Sequence, residues 1–337
     1  MIGVGIIGYG YWGPNLVRNF SEAAGTRVVA VCDIRAESIA QVAKRYPTIQ
    51  TTRDFTELLN DPSIDAIAVA TPVRSHFELA LGALTAGKHV LVEKPMTETV
   101  EQAHRLINTA DRHNRVLMVD HTFVYTPAIR KIRDLVAAEE LGEIYYYDSI
   151  RVNLGLFQRD VNVIWDLAVH DFSILEYVLG EHPVAVSANG ASPVSQSPES
   201  IAYISLFFAS GAIAHINVNW LAPVKVRQIL IGGSRKMILY NDLEPSEKVK
   251  VYDKGVMLTD DPDKIYQLRV GYRAGDMWAP RLANSEGLAV EVKHFVDCIN
   301  NSLVPETDGS VGMRVVELLE ATSQSLRRRG QPIELRG

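Results

Sequence analysis

The stretch Ile2-Gly3-Val4-Gly5-Ile6-Ile7-Gly8-Tyr9-Gly10-Tyr11-Trp12-Gly13-Pro14-Asn15-Leu16 decides the fold. Its apolar run from Ile2 to Ile7 reads as a strand covered on both faces, and a helix should open at Pro14-Asn15-Leu16. Between them, Gly8 permits a tight turn, Gly10 lets the backbone approach a pyrophosphate, and Gly13 lets the helix sit close to its strand. The first helical turn offers unpaired N–H groups to phosphates. Tyr11 and Trp12 join the three glycines as candidate cofactor-binding residues.

A second apolar run, Arg27 to Cys32, ends in Asp33, at the separation where an acidic residue bonds the adenosine ribose. The same glycines could serve a plain strand-to-helix turn beside an ordinary surface acid. The acid in register favours a nicotinamide dinucleotide. Asp33 points to NAD, because a carboxylate accepts two ribose hydroxyls and repels a 2′-phosphate. NADP stays as the alternative because Arg35 lies two residues on.

The chain has 337 residues, 47% of them apolar, enough for two domains with a core each. No apolar run is as long as a membrane span, and the start is too short and glycine-interrupted for a signal peptide. Two cysteines, Cys32 and Cys298, suggest neither a disulfide framework nor a metal cluster. The expected setting is the cytoplasm. A net charge of −6 argues against a general nucleic-acid binder.

From residue 1 to 122 the pattern alternates strand and helix, with apolar runs at 2–7, 27–32, 64–70, 88–92 and 115–119. Ser75 with Glu78, and Thr99 with Gln102, fit capping boxes, and Gly87 falls where a helix should stop. This predicts an α/β domain with a doubly wound parallel sheet. After a helix from Thr126-Pro127 to near Gly142, long alternating strands follow, with hairpin signals at Ser210-Gly211 and Gly232-Gly233-Ser234. Helices are predicted at about 163–179, 286–300 and 311–328. Residues 123–337 therefore read as an α+β domain on a large open antiparallel sheet. One sheet face must be covered by helices or by another subunit.

The run 88–92 leads into Glu93-Lys94-Pro95, where Lys94 reaches toward a cofactor lying beyond the strand ends. An ammonium there can stabilise an alkoxide as hydride leaves. Thr71-Pro72 ends the preceding strand, and its backbone suits the nicotinamide side of the cofactor. His76 suits either the ring or solvent. On the helix 163–179, Asp166 and His170 share a face with Val163, Ser173 and Tyr177, opposite an apolar stripe of Ile164, Leu167, Ile174 and Val178. Asp166 and His170 form either a general base with its orienting acid or a solvated i,i+4 pair. His215, Asn217 and Asn219 alternate with Ala214, Ile216, Val218 and Trp220 along one strand. Lys225 and Arg227 share a strand face and could hold a phosphate, though a solvated face explains such pairs as well.

With Gly8 to Gly13, Asp33, Glu93-Lys94-Pro95 and Asp166/His170 assembled, the chain resembles the glucose–fructose oxidoreductase / inositol dehydrogenase / MocA family along its whole length. The closing segments Glu286 to Phe295 and Pro305-Glu306-Thr307-Asp308-Gly309 share the likeness. It implies a Rossmann domain plus an open-sheet domain, a homodimer or homotetramer, and oxidation of a sugar or cyclitol carbinol. It also implies that Lys94 and His170 act on the substrate hydroxyl with Asp166 beside them. The chain departs from the common pattern at Asn162-Val163-Ile164-Trp165, where glycines often stand, and at Ser173, where a second acid often follows the histidine.

The phrases Ile164 to Asp171 and Trp220 to Arg227 look like the branch that oxidises nucleotide-linked amino sugars at C3, which implies UDP-N-acetylglucosamine as substrate. The substrate-binding candidates are Lys94, His121, Asn153, Asp166, His170, Arg227 and Arg273; Glu93, Thr71, Pro72, His76 and Arg35 complete the cofactor set, and no metal site is expected. The rival readings are a free-sugar or inositol dehydrogenase, a sugar ketoreductase, and a non-catalytic dinucleotide sensor.

Overall fold

The computed structural model describes residues 1–155, 161–194, 198–257, 271–273 and 275–335, in two compact units. The first comprises Met1–Thr126 and Ser285–Glu317, the second Pro127–Asn284 and Leu318–Gly337. The sequence places one division at 122/123; the chain instead returns to its first unit over 285–317.

The first unit runs β1 (Ile2–Ile7), α1 (Gly13–Glu22), β2 (Thr26–Cys32), α2 (Ala36–Arg45), β3 (Gln50–Thr52), α3 (Phe55–Asn60), β4 (Ala66–Val69), α4 (His76–Thr85), β5 (His89–Glu93), α5 (Val100–His113) and β6 (Leu117–Asp120). The six strands are parallel, in the order β3-β2-β1-β4-β5-β6. This is a doubly wound sheet. Every residue of β1, β4 and β6 is buried, which is why those strands read as unbroken apolar runs. Ile67, Phe77, Leu84, Val92 and Leu106 are among the side chains that join strands to helices in one core.

Two local expectations change. Ser75 does not cap α4; its hydroxyl turns to Thr71 Oγ1 and the Pro72 carbonyl, both at 2.8 Å, because a 3₁₀ turn over Val73–Ser75 runs straight into the helix. Thr99 does accept the Gln102 N–H at 3.2 Å, but the Gln102 side chain returns to the Glu98 N–H and not to that of Thr99. Gly87 ends α4 as expected, at φ +74°, with its N–H on the Leu84 carbonyl at 2.9 Å.

The second unit contains α6 (Pro127–Ala137), β7 (Ile144–Leu154), a π-helical turn over Ile164–Ala168 leading into α7 (Val169–Leu179), β8 (Pro183–Ala191), β9 (Ile201–Phe208), β10 (Ile213–Asn219), β11 (Leu221–Gly233), β12 (Met237–Asn241), β13 (Val249–Tyr252), β14 (Gly255–Met257), β15 (Gly271–Arg273) and β16 (Met277–Trp278). The helices α8 (Gly287–Asn301) and α9 (Gly309–Arg327) and the short β17 (Ile333–Glu334) follow. Nine strands form a sheet ordered β16-β13-β12-β11-β7-β10-β9-β8-β17, antiparallel throughout except where β7 and β10 run parallel. Strands β14 and β15 pair separately.

Burial splits the large sheet into two faces. Ala214, Ile216, Val218 and Trp220 are buried, while His215 is exposed and Asn217 and Asn219 are half-buried, as the alternation predicts. Tyr147, Ser149 and Arg151 alternate along the same inner face of β7, and Ile229 and Ile231 along that of β11. Tyr203, Phe207 and Ile213 keep 48%, 37% and 45% of their surface exposed on the other face.

The return of 285–317 has clear anchors within the first unit. Phe295 of α8 meets Phe20 of α1 edge-on, with ring centroids 6.3 Å apart. Thr307 is fully buried, its hydroxyl donating to the Val119 carbonyl at 2.7 Å and its own carbonyl accepting the Val119 N–H at 2.8 Å. A Cβ on Gly309 would lie 2.8 Å from Ile107 Cγ1, so the chain passes α5 at a spacing that only glycine allows. Among the described residues no helix is long and apolar enough to cross a membrane.

Candidate active site

The glycine turn after β1 is shaped by close backbone approach. Gly8 has φ +99°, and a Cβ there would lie 2.4 Å from the Ala70 carbonyl oxygen. At Gly13 it would lie 2.2 Å from the Gly8 carbonyl oxygen, but at Gly10 the nearest atom is Arg35 Nη2 at 3.6 Å. Gly8 and Gly13 are thus required by the turn itself, and Gly10 by the open space over the start of α1. That open cradle fits a pyrophosphate held by N-terminal N–H groups. Tyr11 is 92% exposed at its rim.

Asp33 is buried at the end of β2 and accepts four N–H groups: Tyr9 N–H and Arg35 Nη2 on Oδ2, Arg35 N–H and Nε on Oδ1. Burial alone would raise its pKa; the bonds from Arg35 and Tyr9 outweigh that and hold it at about 2. Both oxygens are fully used. A ribose diol therefore reaches this carboxylate only as the half-exposed Arg35 side chain withdraws.

At the carboxyl ends of β4, β5 and β6, His76 is buried with Nδ1 2.8 Å from the Pro95 carbonyl oxygen and Nε2 2.7 Å from that of Thr71. Its ring spans the two strand ends, so both nitrogens are engaged inside the fold and the solvent-facing alternative is set aside. The Lys94–Pro95 peptide is cis. Lys94 is half-buried, and its backbone N–H donates to Glu93 Oε2 at 2.9 Å. Asp120, across from Glu93 in the sheet, accepts Trp12 Nε1 at 2.7 Å and Thr122 Oγ1 at 2.5 Å.

His121, a substrate-binding candidate in the sequence, and Glu291, which the sequence did not single out, take their setting here. His121 is 1% exposed and neither ring nitrogen has a hydrogen-bond partner; burial, then the charge of Lys94, lower its pKa to about 3. It is a neutral imidazole holding polar atoms in reserve. Glu291 of α8 is fully buried, and burial followed by the neighbouring Asp120 carboxyl pushes it well above the usual range. Its signal in the sequence is an acid within the stripe Leu288, Val292, Phe295 and Val296, where an apolar residue belongs.

In the second unit, Asn162 Oδ1 accepts the N–H groups of Ile164 and Trp165, both at 3.2 Å, and starts the helical segment. The first turn is π-helical, a form frequent at functional sites. Asp166 and His170 are half-buried, and Asp166 Oδ2 accepts Trp220 Nε1 at 2.9 Å. Of the two readings of this helix face, the solvated one is not met. Val163, Asp171 and Ser173 are fully buried, Glu176 is buried, and Leu167, assigned to the apolar stripe, is only half-buried. The helix lies between the large sheet and α6, whose Arg133 guanidinium sits 5.1 Å from the Tyr177 ring centroid.

The residue beside His170 fixes this helix. Asp171 accepts Arg151 Nε at 2.7 Å, Arg151 Nη2 at 3.3 Å and Ser149 Oγ at 2.6 Å, all buried. Asn153 is half-buried two residues beyond Arg151 on the same strand. Arg227 Nη1 lies 3.3 Å from Asp242 Oδ2, and Lys248 donates to the Asp242 carbonyl oxygen. Lys225 is exposed beside a bulge and does not form a regular face with Arg227. Arg273 ends β15, and its side chain lies outside the described residues. No group of three or more His, Cys, Asp or Glu among the described residues could hold a metal ion.

Removing one member of a buried ion pair strands the other, at a cost of about 3–5 kcal/mol. Arg151→Met should lower the unfolding free energy by that amount in urea titrations. A loss under about 1 kcal/mol would mean that the Ser149 hydroxyl alone satisfies Asp171.

Residues 2–121 match the oxidoreductase family with an NAD-binding Rossmann fold, and residues 129–239 match the GFO/IDH/MocA C-terminal domain. An uncharacterized oxidoreductase, YdgJ, of Escherichia coli K12 is 32% identical over 263 residues, 73% of each chain. The scyllo-inositol 2-dehydrogenase (NAD(+)) of Bacillus subtilis is 25% identical over 99% of this chain and 95% of its own. The UDP-N-acetylglucosamine 3-dehydrogenase of Acidithiobacillus ferrooxidans is 27% identical over 93% of each. The solved structure of that enzyme, GnnA, superposes with a TM-score of 0.82 at 25% identity, covering 97% of this chain and 99% of its own. The first unit is an NAD-binding Rossmann domain, and the chain belongs to the GFO/IDH/MocA family of oxidoreductases.

Proposed function

We propose that this enzyme is a sugar dehydrogenase that oxidises the C3 hydroxyl of a UDP-linked amino sugar, UDP-N-acetylglucosamine first among them. NAD supplies the hydride acceptor when bound. Lys94 donates a hydrogen bond to the reacting oxygen and stabilises the charge that develops on it. His170 takes the hydroxyl proton, and Asp166, itself held by Trp220, orients the imidazole. His121 is the buried, neutral neighbour of Lys94 at this edge.

The observation that carries this reading is the edge formed by Lys94 and His121, where an ammonium accompanies a buried imidazole with both nitrogens unpartnered. Such a pair suits a polyhydroxylated ligand better than a structural core. For the nucleotide, Arg227 and Lys248, both paired with Asp242, are the cations proposed to meet a diphosphate. Similarity to the UDP-N-acetylglucosamine 3-dehydrogenase over 93% of both chains supports the same choice. An inositol or free sugar is the second reading, favoured by the scyllo-inositol 2-dehydrogenase relative. The exposed Tyr203, Phe207 and Ile213 face supports a homodimer or homotetramer in which a second copy covers it. Sedimentation of Phe207→Glu should then show a smaller species than the parent; an unchanged one would remove that face from assembly.

The assay is NAD reduction with UDP-N-acetylglucosamine, myo-inositol and glucose, followed by NMR of the product. Turnover with the nucleotide sugar and a 3-keto product is expected; reduction with no substrate would leave only the dinucleotide sensor. Lys94→Ala should lower kcat about 10²–10³-fold with little change in NAD affinity, and near-normal turnover would remove Lys94 from the chemistry. Asp33→Ala should erode preference for NAD over NADP by about tenfold or more, since each bond to a charged group is worth about 1.5–3 kcal/mol. An unchanged preference would argue against its ribose role.

A further inference from the structure

The carboxylate at the end of β2 is capped by its own neighbour in the chain. Arg35 grips Asp33 with a planar fork, Nε on Oδ1 at 3.0 Å and Nη2 on Oδ2 at 2.9 Å, and adds its backbone N–H on Oδ1 at 2.8 Å. The third guanidinium nitrogen, Nη1, has no hydrogen-bond partner among the described residues. The Arg35 side chain keeps 54% of its surface exposed, against 5% for that of Asp33.

The fork also reaches over the glycine turn. Apart from its chain neighbours, a Cβ built on Gly10 would have one heavy atom within 4 Å, Arg35 Nη2 at 3.6 Å. Arg35 thus spans from the acid of β2 to the mouth of the pyrophosphate cradle. Arg53 brings a second cation to the same turn: its exposed side chain donates Nε to the carbonyl of Ile34, the residue between Asp33 and Arg35, at 3.0 Å. Of the nearby acids, Glu37 acts on Arg35 through charge alone, and Asp54 is occupied by the Thr56 N–H and hydroxyl at the start of α3.

The two arrangements open to this pair offer opposite chemistry. With the fork closed, both carboxylate oxygens are used and the acid's charge is neutralised; what faces the solvent is a guanidinium, which donates and cannot accept. That surface suits a phosphate and has nothing to receive the hydroxyls of a ribose. With the fork open, the carboxylate accepts a ribose diol and repels a 2′-phosphate. A ligand shifts such an equilibrium only by its different affinity for the two arrangements.

We propose that the Asp33–Arg35 fork is a specificity switch in the cofactor site: NAD binds by opening it and NADP binds to it closed, with Arg35 holding the adenosine 2′-phosphate, so that the protein takes both dinucleotides. Arg35 therefore works against NAD and for NADP, and its removal moves the two affinities in opposite directions.

This inference rests on the NAD assignment and deepens it at the adenosine end of the cofactor. Its test is calorimetric titration of the full-length protein, freed of nucleotide, and of Arg35→Ala, with NAD⁺ and with NADP⁺ and no sugar. The parent protein is expected to bind both. In Arg35→Ala, NAD⁺ should bind up to about fivefold more tightly, because a half-exposed ion pair is worth little. NADP⁺ should bind about tenfold or more weakly, because a charge-assisted bond to phosphate is lost and the acid beside it is uncovered. The ratio of the two affinities is read on one preparation of each protein, so partial misfolding of the variant cancels in it. An unchanged ratio would overturn the proposal, as would equal weakening of both cofactors, which would place Arg35 against the part they share. Failure of NADP⁺ to bind the parent, with NAD⁺ binding intact, would overturn it too. Binding of neither cofactor by the parent would overturn the NAD assignment itself.

Discussion

The Asp120 carboxylate is the acceptor around which the first unit's ligand-facing edge is assembled. It ties Trp12 of the glycine turn to the end of β6, takes the Thr122 hydroxyl at the start of the next turn, and stands opposite Glu93 and Glu291. The turn after β1, the end of β5 and the helix α8 thus meet through one side chain. Replacing that oxygen pair with an apolar group would leave the Trp12 N–H and two acids without the group that organises them. A buried polar network of this kind is a poor source of net stability.

The parallel sheet was legible because it is buried on both faces. Strands without a solvated side appear as apolar runs, and the glycine turn between β1 and α1 has the steric reason the spacing suggests. The large sheet was legible by alternation, down to His215, Asn217 and Asn219 opposite Ala214, Ile216 and Val218. What sequence could not convey was which unit the segment 285–317 joins. Helical periodicity shows that α8 buries a stripe; it does not show that the stripe meets Phe20, nor that Thr307 seals the edge of β6.

Within the site, residues whose roles are local were read from the chain and residues whose roles are shared were not. Gly8 and Gly13 act through neighbours in sequence or in the next strand. Glu291 acquires its meaning from Asp120, and Arg151 from Asp171, across 171 and 20 positions of sequence respectively. His76, at a helix start, was a candidate ligand contact, and the structure uses both of its nitrogens to join the carbonyls of Thr71 and Pro95.

The helix carrying Asp166 and His170 shows why a helix inside the protein can violate the amphipathic rule. A helix at the surface needs one apolar stripe, but α7 is covered by the sheet and by α6, so its polar residues must find partners inside. Asp171 finds Arg151 and Ser149, Ser173 donates to the His170 carbonyl at 2.9 Å, and Glu176 meets His182 at 2.6 Å. The π-helical turn before α7 then adds a residue to the first turn and changes which side chains share a face, while the Asp171 fork holds the helix that follows. For the role proposed for His170, a base that must accept a proton in one orientation is better served by such a clamped helix than by a solvated one. Its imidazole then starts from a backbone that the sheet has already fixed.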